Sequence, residues 1–300
     1  IFDGVHTGHQ KLFNEAKKEA KKRKFPFGII TFDPHPRDYF SKGKENFKIT
    51  DNFEKVRLIK SFNTDIYISI SFNEDLRNLE PKNFIETILK KILNVKVLFS
   101  GKNFRFGKNR SGSLTDSKDV FKKFGIEPTT CELLETQNSE VISSQFIREN
   151  IKSGDLNKIK VLLGRNWAIT GKVEHGNKNG NKIGFPTANL ILSDLLEPKF
   201  GVYLSNTFIM SDCGQNIISD ELPSITNFGV RPTLNGKKAV FETHILDIEN
   251  FLKDTNLYGK RIYVKLKSYI RPEKKFTSLN NLKLQIKKDI KIAKDIHINK

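Results

Sequence analysis

The periodicity of the chain changes near residue 164, and this change constrains the fold more than any other feature of the sequence. Before it, short apolar runs alternate with stretches in which apolar residues recur at helical spacing. Strands separated by helices indicate a parallel sheet with helices on both faces. After it, β-rich segments follow one another across turns of Gly, Pro, Asn and Asp, with no long helix between them. That pattern predicts a mostly antiparallel sheet or a small barrel.

Capping signals and apolar spacing give the bounds of the individual elements. Asp51 with Glu54 forms a capping box, and Pro81 suits a first helical position. The first half is predicted to contain helices over 8–24, from 51, over 81–93, 116–124, 144–152 and 155–163, with strands over 27–32, 65–70 and 95–99. The second half is predicted to contain strands over 167–173, 201–209, 224–228, 239–246 and 260–269. A last helix from Leu279 is predicted to pack on the barrel through one stripe, Leu282, Ile286, Ile290 and Ala293.

The length of 300 residues allows two domains that each bury a core. No low-complexity linker separates the halves, so we predict a Rossmann-like α/β domain over 1–163 and a barrel domain with a C-terminal helix over 164–300. Only Ile1 and Phe2 precede the first loop, where a whole strand normally leads in. We therefore expect roughly 10 to 20 further N-terminal residues in the natural protein, including an apolar strand of about five residues.

The net charge of +18 is spread along most of the chain. It is compatible with a solvated basic surface, with phosphate-bearing substrates or with nucleic acid, and its even spread favours the first. Cys131 and Cys213 have no C-x-x-C spacing, so neither a disulfide framework nor a zinc site is predicted. No apolar run approaches the roughly 18 residues that span a bilayer. We expect a cytoplasmic protein.

The chain opens with F-D-G-V-H-T-G-H-Q, which places His6 and His9 around Gly8 where a helix begins. Backbone N–H groups and the positive end of a helix form a seat for anions at such a junction. Two imidazoles there can donate hydrogen bonds to phosphate oxygens as charge moves to a leaving pyrophosphate. The alternative interpretation is a pair of surface histidines that cap a helix.

Three later segments share this setting, because each follows a strand end or begins a helix. They are T-F-D-P-H-P-R at 31–37, G-K-N-F-R-F-G-K-N-R-S-G at 101–112 and I-S-S-Q-F-I-R at 142–148. In an open parallel sheet the loops that follow strands converge on one crevice. Taken singly, the first segment is also compatible with an ordinary turn and the second with a solvated basic loop.

A glycine-rich segment begins the second half and reads G-K-V-E-H-G-N-K-N-G-N-K-I-G-F-P-T-A-N-L from residue 171. Its glycines allow the backbone to approach a phosphate closely. Its P-T-A-N ending offers oxygen-bearing side chains that suit Mg²⁺. The spacing is not that of a Walker A loop, and without the P-T-A-N ending the segment would read as a plain β-turn.

Together these motifs resemble the bifunctional bacterial riboflavin kinase/FMN adenylyltransferase family over nearly the whole chain. Further matches to the kinase half follow in order, G-V-Y-L, N-F-G-V-R-P-T, F-E-T-H, L-Y-G and I-R-P-E. In the first domain, the resemblance implies nucleotide or flavin contacts by Asp3, Gly4, Gly8, Asp33, His35, Asn103, Ser143, Ser144 and Arg148. In the second domain, it implies such contacts by Gly176, Gly180, Gly184, Pro186, Thr187, Asn189 and Arg271.

The resemblance also implies the chemistry. ATP phosphorylates riboflavin to FMN in the second domain, with Glu242 as the base and with Thr187 and Asn189 at Mg²⁺. A second ATP adenylylates FMN to FAD in the first domain, where His6 and His9 stabilise charge while pyrophosphate leaves.

One family position differs, since Gln145 stands where the family has Thr. Gln keeps a hydrogen-bonding side chain but is longer and not β-branched, so this position bears on how the loop grips ATP. Two alternatives stay open, a kinase with an impaired first domain and a basic barrel that binds RNA. No strand is rich in aromatic residues, so we expect small-molecule partners rather than nucleic acid. The lack of a long apolar run leads us to expect no membrane partner.

Overall fold

The structure is a computed structural model that describes residues 1–175, 180, 183–191, 194–214, 216–233, 236–248 and 256–298. The chain forms two compact units. We call them the α/β unit, with Ile1–Glu45 and Ile59–Ser143, and the barrel unit, with Asn46–Leu58 and Ser144–Lys300. The division of function at residues 163 and 164 stays a prediction. None of the helices in the described ranges is long and apolar enough to cross a membrane.

Helices and strands alternate along the first part of the chain, as its periodicity predicts. The helices are α1 Thr7–Arg23, α2 Pro36–Ser41, α3 Asn52–Lys60, α4 Glu74–Asn78, α5 Pro81–Asn83 and α6 Lys118–Lys123. The strands are β1 Gly28–Asp33, β2 Ile66–Ser71, β3 Val97–Gly101 and β4 Glu127–Cys131. Short elements such as α2, α4 and β4 were outside the prediction because each has six residues or fewer and little periodicity.

The strands of the α/β unit are parallel, which confirms the predicted class. β1 pairs with β2 from Gly28↔Ile66 to Asp33↔Ser71, and β3 pairs with β4 from Val97↔Glu127 to Gly101↔Cys131. The described strands form two separate two-stranded sheets instead of one continuous sheet, because no described strand hydrogen-bonds to both pairs.

The apolar core of the α/β unit includes the helical segment that Pro81 begins. After α5, the predicted α-helix continues as a π-helix over Phe84–Ile92. Phe84, Ile85 and Leu89 are buried in one cluster. Burying such side chains contributes about 1.5 to 3 kcal/mol each, so packing on this face stabilises the segment whatever its helical type.

The barrel unit contains α7 Ser144–Ser153, α8 Leu156–Leu163, β5 Ala168–Lys172, β6 Ala188–Ile191, β7 Gly201–Ile209, β8 Leu222–Thr233, β9 Gly236–Ile245, β10 Arg261–Arg271 and α9 Leu279–Ile298. Its strands form one antiparallel sheet in the order β5-β10-β7-β8-β9-β6. Glu174, just after β5, bridges to Asn189 in β6, so the first and last strands meet and nearly close the barrel. Ala293 and Ile290 of α9 pack on this barrel, as predicted.

The stretch Asn46–Leu58 belongs to the barrel unit although it precedes most of the α/β unit in the chain. The indole N–H of Trp167 donates to the carbonyl of Ile49 at 2.8 Å. The hydroxyl of Thr170 donates to the Asp51 carboxylate, which also caps the helix by accepting from Glu54 N. These contacts join two stretches that are more than a hundred residues apart in the chain.

Glu54 is a buried charged residue in the stretch Asn46–Leu58, which we call the junction. Its carboxylate is buried, accepts from Arg57 Nε at 2.7 Å and from the Tyr263 hydroxyl at 3.0 Å, and lies 3.9 Å from Arg165 Nε. Burial raises the pKa of Tyr263 and lowers that of Arg165. A buried carboxylate is stable only when it is paired and hydrogen-bonded, so α3 depends on these barrel partners.

Candidate active sites

The first candidate site is the opening loop and the start of α1. Asp3, Gly4 and Val5 are buried, and the backbone reverses at Gly4 (φ 82) and Val5 (φ 40). A β-branched residue at positive φ is strained, so the surrounding packing holds this turn in place. The turn leads directly into His6, the N-cap of α1, whose Nδ1 accepts from His9 N at 3.4 Å.

His6 and His9 form one stacked pair, with ring centroids 3.6 Å apart and an angle of 22° between the rings. Two cations at this separation would repel strongly. Burial, and then the charge of His6, lower the pKa of His9 well below its usual range. The His9 ring is therefore neutral at pH 7. Its Nδ1 is buried and has no hydrogen-bond partner within the described part of the chain, so it can bond a ligand oxygen.

Gly8 brings another predicted segment to the same place. A methyl group on Gly8 would lie 3.2 Å from the His6 ring and 3.5 Å from the carbonyl oxygen of Ile142. Ser143 follows Ile142 directly and is half-buried. The structure therefore brings the start of the 142–148 segment close to His6, and its role in binding stays a prediction.

The other two loops of the α/β unit lie at strand ends. Asp33 is exposed at the end of β1 and precedes a cis peptide bond to Pro34, and His35 caps α2 by accepting from Arg37 N at 3.0 Å. Asn103 is exposed just after β3. The convergence of these loops on one crevice stays a prediction.

Ser144 and Arg148 belong to the barrel unit, because the boundary between the units runs between Ser143 and Ser144. Arg148 Nε donates to the carbonyl of Phe47 at 2.8 Å, and its guanidinium lies 5.5 Å from the Phe47 ring centre. Gln145 is exposed and donates to Glu149 at 3.0 Å. The side chain of Gln145, the residue that departs from the family motif, thus contacts a residue one turn further along the same helix.

The second candidate site lies on neighbouring strands of the barrel. Glu242 on β9 is directly opposite Asn189 on β6 and Asn227 on β8. Side chains opposite one another in adjacent strands share one face of the sheet and lie about 5 Å apart. Asn189 is buried and Glu242 is half-buried. A carboxylate flanked by two amides is well placed to take a proton from an alcohol that the amides orient.

The P-T-A-N segment reaches this site from the side of β6. Gly180 approaches it so closely that a methyl group there would collide with the carbonyl oxygen of Phe185 and lie 3.2 Å from Thr187 Oγ1. Asn189 Nδ2 lies 3.4 Å from the carbonyl oxygen of Thr187. Gly184 (φ 86), just before this segment, and Pro186, its first residue, are exposed, and the predicted Gly176 falls outside the described residues.

A second carboxylate, Glu273, lies near Glu242 and was missed by the sequence analysis. A methyl group on Gly229 would collide with Glu273 Oε1 and lie 3.2 Å from Asn227 Nδ2. Burial, and then the charge of Glu242, raise the pKa of Glu273. The only sequence signal was its place at the end of the I-R-P-E match.

Arg271 is held by α9. Its Nε donates to both carboxylate oxygens of Asp289 at 3.0 Å, its Nη2 donates to the same carboxylate at 2.6 Å, and its Nη1 donates to the carbonyl of Pro272. Asp289 is buried. The predicted contact of Arg271 with substrates is not tested by this geometry, which shows a paired guanidinium at the end of β10.

Known proteins resemble the chain in both halves. The family model for FAD synthetase matches residues 1–146, and that for riboflavin kinase matches residues 163–297. The bifunctional riboflavin kinase/FMN adenylyltransferase of Escherichia coli (strain K12) is 34% identical over 294 residues, which are 98% of this chain and 90% of that protein. The chain belongs to the bifunctional riboflavin kinase/FMN adenylyltransferase family.

Another member of this family and one solved structure are also similar to the chain. The Bacillus subtilis (strain 168) enzyme is 33% identical over 293 residues, 96% of this chain and 88% of its own length. A crystal structure from Streptococcus pneumoniae, described as a macrolide-efflux protein, has a TM-score of 0.81 and 28% identity, and covers 98% of this chain and 91% of that one. Since both family models match, neither the kinase-only alternative nor the RNA-binding barrel is favoured.

Proposed function

We propose that the barrel unit phosphorylates riboflavin to FMN and that the α/β unit provides the histidine pair that adenylylates FMN to FAD. Membership of the family makes the chain a bifunctional enzyme with these two activities. The observation that carries the assignment of residues is the strand register, which sets Glu242 opposite Asn189 and Asn227 beside the P-T-A-N segment.

In the kinase step, Glu242 is the general base. It accepts the proton of the ribityl 5′-hydroxyl while that oxygen bonds to the γ-phosphorus of ATP and the bond to ADP breaks. Asn227 and Asn189 lie on either side of the carboxylate, where their amides would orient the hydroxyl. Glu273 is a second carboxyl group nearby, and burial and then the charge of Glu242 raise its pKa.

The donors present fit a magnesium ion. Thr187 Oγ1 and the Asn189 side chain lie at one edge of the site, and Mg²⁺ prefers such oxygen ligands together with substrate phosphates and water. The described residues contain no group of three His, Cys, Asp or Glu side chains that could hold a metal by themselves. When bound there, Mg²⁺ would neutralise charge on the ATP phosphates. Thr187 and Asn189 would hold it through their side-chain oxygens.

In the adenylyl-transfer step, a phosphate oxygen of FMN attacks the α-phosphorus of ATP and the bond to pyrophosphate breaks. Negative charge develops on the phosphate oxygens in this step. The buried Nδ1 of His9 and the N-terminus of α1 are the groups that would stabilise it. His6 keeps the second ring aligned by stacking on it. Further nucleotide or flavin contacts are proposed for Asp3, Gly4, Gly8, Asp33, His35, Asn103 and Ser143, and the roles of Ser144 and Arg148 toward ATP stay predictions.

One assay tests both activities. The protein is incubated with riboflavin, ATP and Mg²⁺, and the flavins are separated by chromatography. We expect FMN first and FAD after it, and FAD alone when FMN is supplied in place of riboflavin. A filter-binding measurement with RNA tests the competing interpretation, since an RNA-binding barrel would retain RNA in a salt-dependent manner. We propose small-molecule partners and a cytoplasmic location.

A further inference from the structure

His244 lies two residues beyond Glu242 on β9 and therefore on the same face of the strand. The proposed base and this imidazole are neighbours along one side of the barrel. The ladder between β6 and β9 begins at Ala188↔Thr243. Continued by one residue, the same register sets His244 opposite Thr187, just beyond the last paired residues of β6 and β9, while His244 itself still pairs with Ile225 of β8.

Beyond the end of the β6–β9 ladder, the imidazole of His244 contacts the chain that leads into β6. Nδ1 of His244 lies 2.7 Å from the carbonyl oxygen of Pro186, fifty-eight residues away in the chain. A carbonyl oxygen can only accept, so the proton of this hydrogen bond is on Nδ1. Burial lowers the pKa of His244, which makes the ring neutral at pH 7 with a single N–H. The ring is also in edge contact with Phe185, with centroids 5.9 Å apart.

The carbonyl of Pro186 belongs to the peptide group that contains the nitrogen of Thr187, and a peptide group is planar. Fixing the Pro186 oxygen therefore fixes the direction in which the chain enters Thr187. The ring of Pro186 already restricts its own φ. The His244 hydrogen bond removes much of the remaining freedom at the point where the P-T-A-N segment enters β6.

We propose that His244 is a positioning residue of the kinase step, which holds the Pro186 carbonyl and so keeps Thr187 and Asn189 in place beside Glu242. This inference rests on the proposed function of the barrel site. His244 itself touches neither substrate nor metal in this proposal. Its effect passes through one hydrogen bond to the backbone.

Three variants separate this role from simple packing. Asn carries its amide nitrogen near the position of Nδ1, whereas Gln, one methylene longer, carries it near Nε2. His244→Asn can restore the donor to Pro186, His244→Gln keeps an amide at the wrong position, and His244→Phe keeps a ring without a donor. Each variant is assayed for riboflavin phosphorylation at varied Mg·ATP, for conversion of supplied FMN to FAD, and for thermal unfolding.

We expect His244→Gln and His244→Phe to lose about 10- to 100-fold in kcat for phosphorylation, because misplacing a positioned group by about 1 Å has effects of this order. His244→Asn should stay within about threefold of the parent, and FAD formation from FMN should be unchanged in all three. The proposal is overturned if His244→Phe phosphorylates riboflavin normally, or if His244→Asn and His244→Gln lose activity equally.

If His244→Phe fails to fold, the comparison of Asn with Gln still decides. Failure of the underlying function has a different signature, because it appears as full phosphorylation by a Glu242→Gln variant whatever the residue at position 244.

Discussion

The two compact units assemble their reactive groups in opposite ways. In the α/β unit, His6 and His9 come from one turn at the start of α1. A capping hydrogen bond between these two residues, three positions apart in the chain, brings them together. In the barrel unit, Asn189, Asn227 and Glu242 come from three strands, and only the antiparallel register brings them together. A site made by one helix start depends on local backbone geometry. A site made by register depends on the integrity of the whole sheet.

The two units also differ in how the chain builds them, as the junction at Asn46–Leu58 shows. The barrel unit uses a stretch from early in the chain, and Trp167, Thr170 and Tyr263 all bond to it. Its stability therefore depends on residues outside the predicted kinase domain over 164–300. The following variants test how independent the two units and their sites are, beginning with the largest expected effect.

Glu242→Gln should separate the two activities most clearly. Loss of a positioned base typically reduces the rate about 10²- to 10⁴-fold, so riboflavin phosphorylation should fall by this factor while supplied FMN is still converted to FAD. Glu221→Gln is the matched control, since this carboxylate is about half exposed and pairs with Lys267 on the surface. Near-normal phosphorylation by Glu242→Gln would show that the base is elsewhere.

The double variant His6→Ala/His9→Ala should give the reverse result. Removal of groups that stabilise developing charge typically costs about 10²- to 10³-fold, so FAD formation should fall at least by this factor while FMN formation continues. Retained kinase activity and an unchanged circular dichroism spectrum are the controls for folding. Continued FAD synthesis in the double variant would remove the histidine pair from the mechanism.

Glu54→Gln should weaken the barrel unit. It leaves the guanidinium groups of Arg57 and Arg165 without their carboxylate, and their side chains are only partly exposed, at 25% and 20%. We expect the free energy of unfolding to fall by about 2 to 3 kcal/mol, below the largest losses known for buried pairs because water reaches both partners.

The fluorescence of Trp167 reports this unfolding directly, because it is the single tryptophan and lies buried in the barrel unit. Glu221→Gln is the control within the same unit, since the Glu221 side chain is 49% exposed in its pair with Lys267 and should contribute less than about 1 kcal/mol. Equal effects of the two variants would contradict a special role for the junction.

Thr187→Ala should raise the Mg²⁺ concentration needed for half-maximal riboflavin phosphorylation by about tenfold, because one side-chain oxygen is lost from the metal edge of the site. Thr187→Ser keeps that oxygen and should behave like the parent. The Mg²⁺ titration of FAD formation from FMN is the internal control. Identical titrations for Thr187→Ala and Thr187→Ser would exclude the hydroxyl as a ligand.

Acid should destabilise the α/β unit through His9. Its pKa is lowered in the folded protein, so below about pH 6.5 the unfolded chain binds a proton that the folded chain does not. Stability from this group is present above that pH and is lost as pH falls, by at most about 1.4 kcal/mol per pH unit. Urea unfolding followed by circular dichroism at pH 7.5 and 5.5 measures the change, and His9→Gln should reduce it. An equal pH dependence in both proteins would show that His9 is not the source.

Local features of this protein could be predicted from the sequence because their determinants are adjacent in the chain. The capping contact of Asp51 with Glu54, the start of α1 beside its two histidines, and the apolar stripe of α9 all depend on spacings of three or four residues. The change of periodicity near residue 164 is also a local pattern, and it distinguished the parallel strands before that point from the antiparallel strands after it.

Only the tertiary structure decided which distant residues meet. Strand β6 has four residues and followed a glycine-rich segment, so no periodicity distinguished it from a loop. Its pairing with β9 nevertheless sets Asn189 beside Glu242. The pairing of Arg271 with Asp289 likewise had no signal in the sequence. Register and packing arise from summed contacts across the whole unit, and no local pattern of residues encodes them.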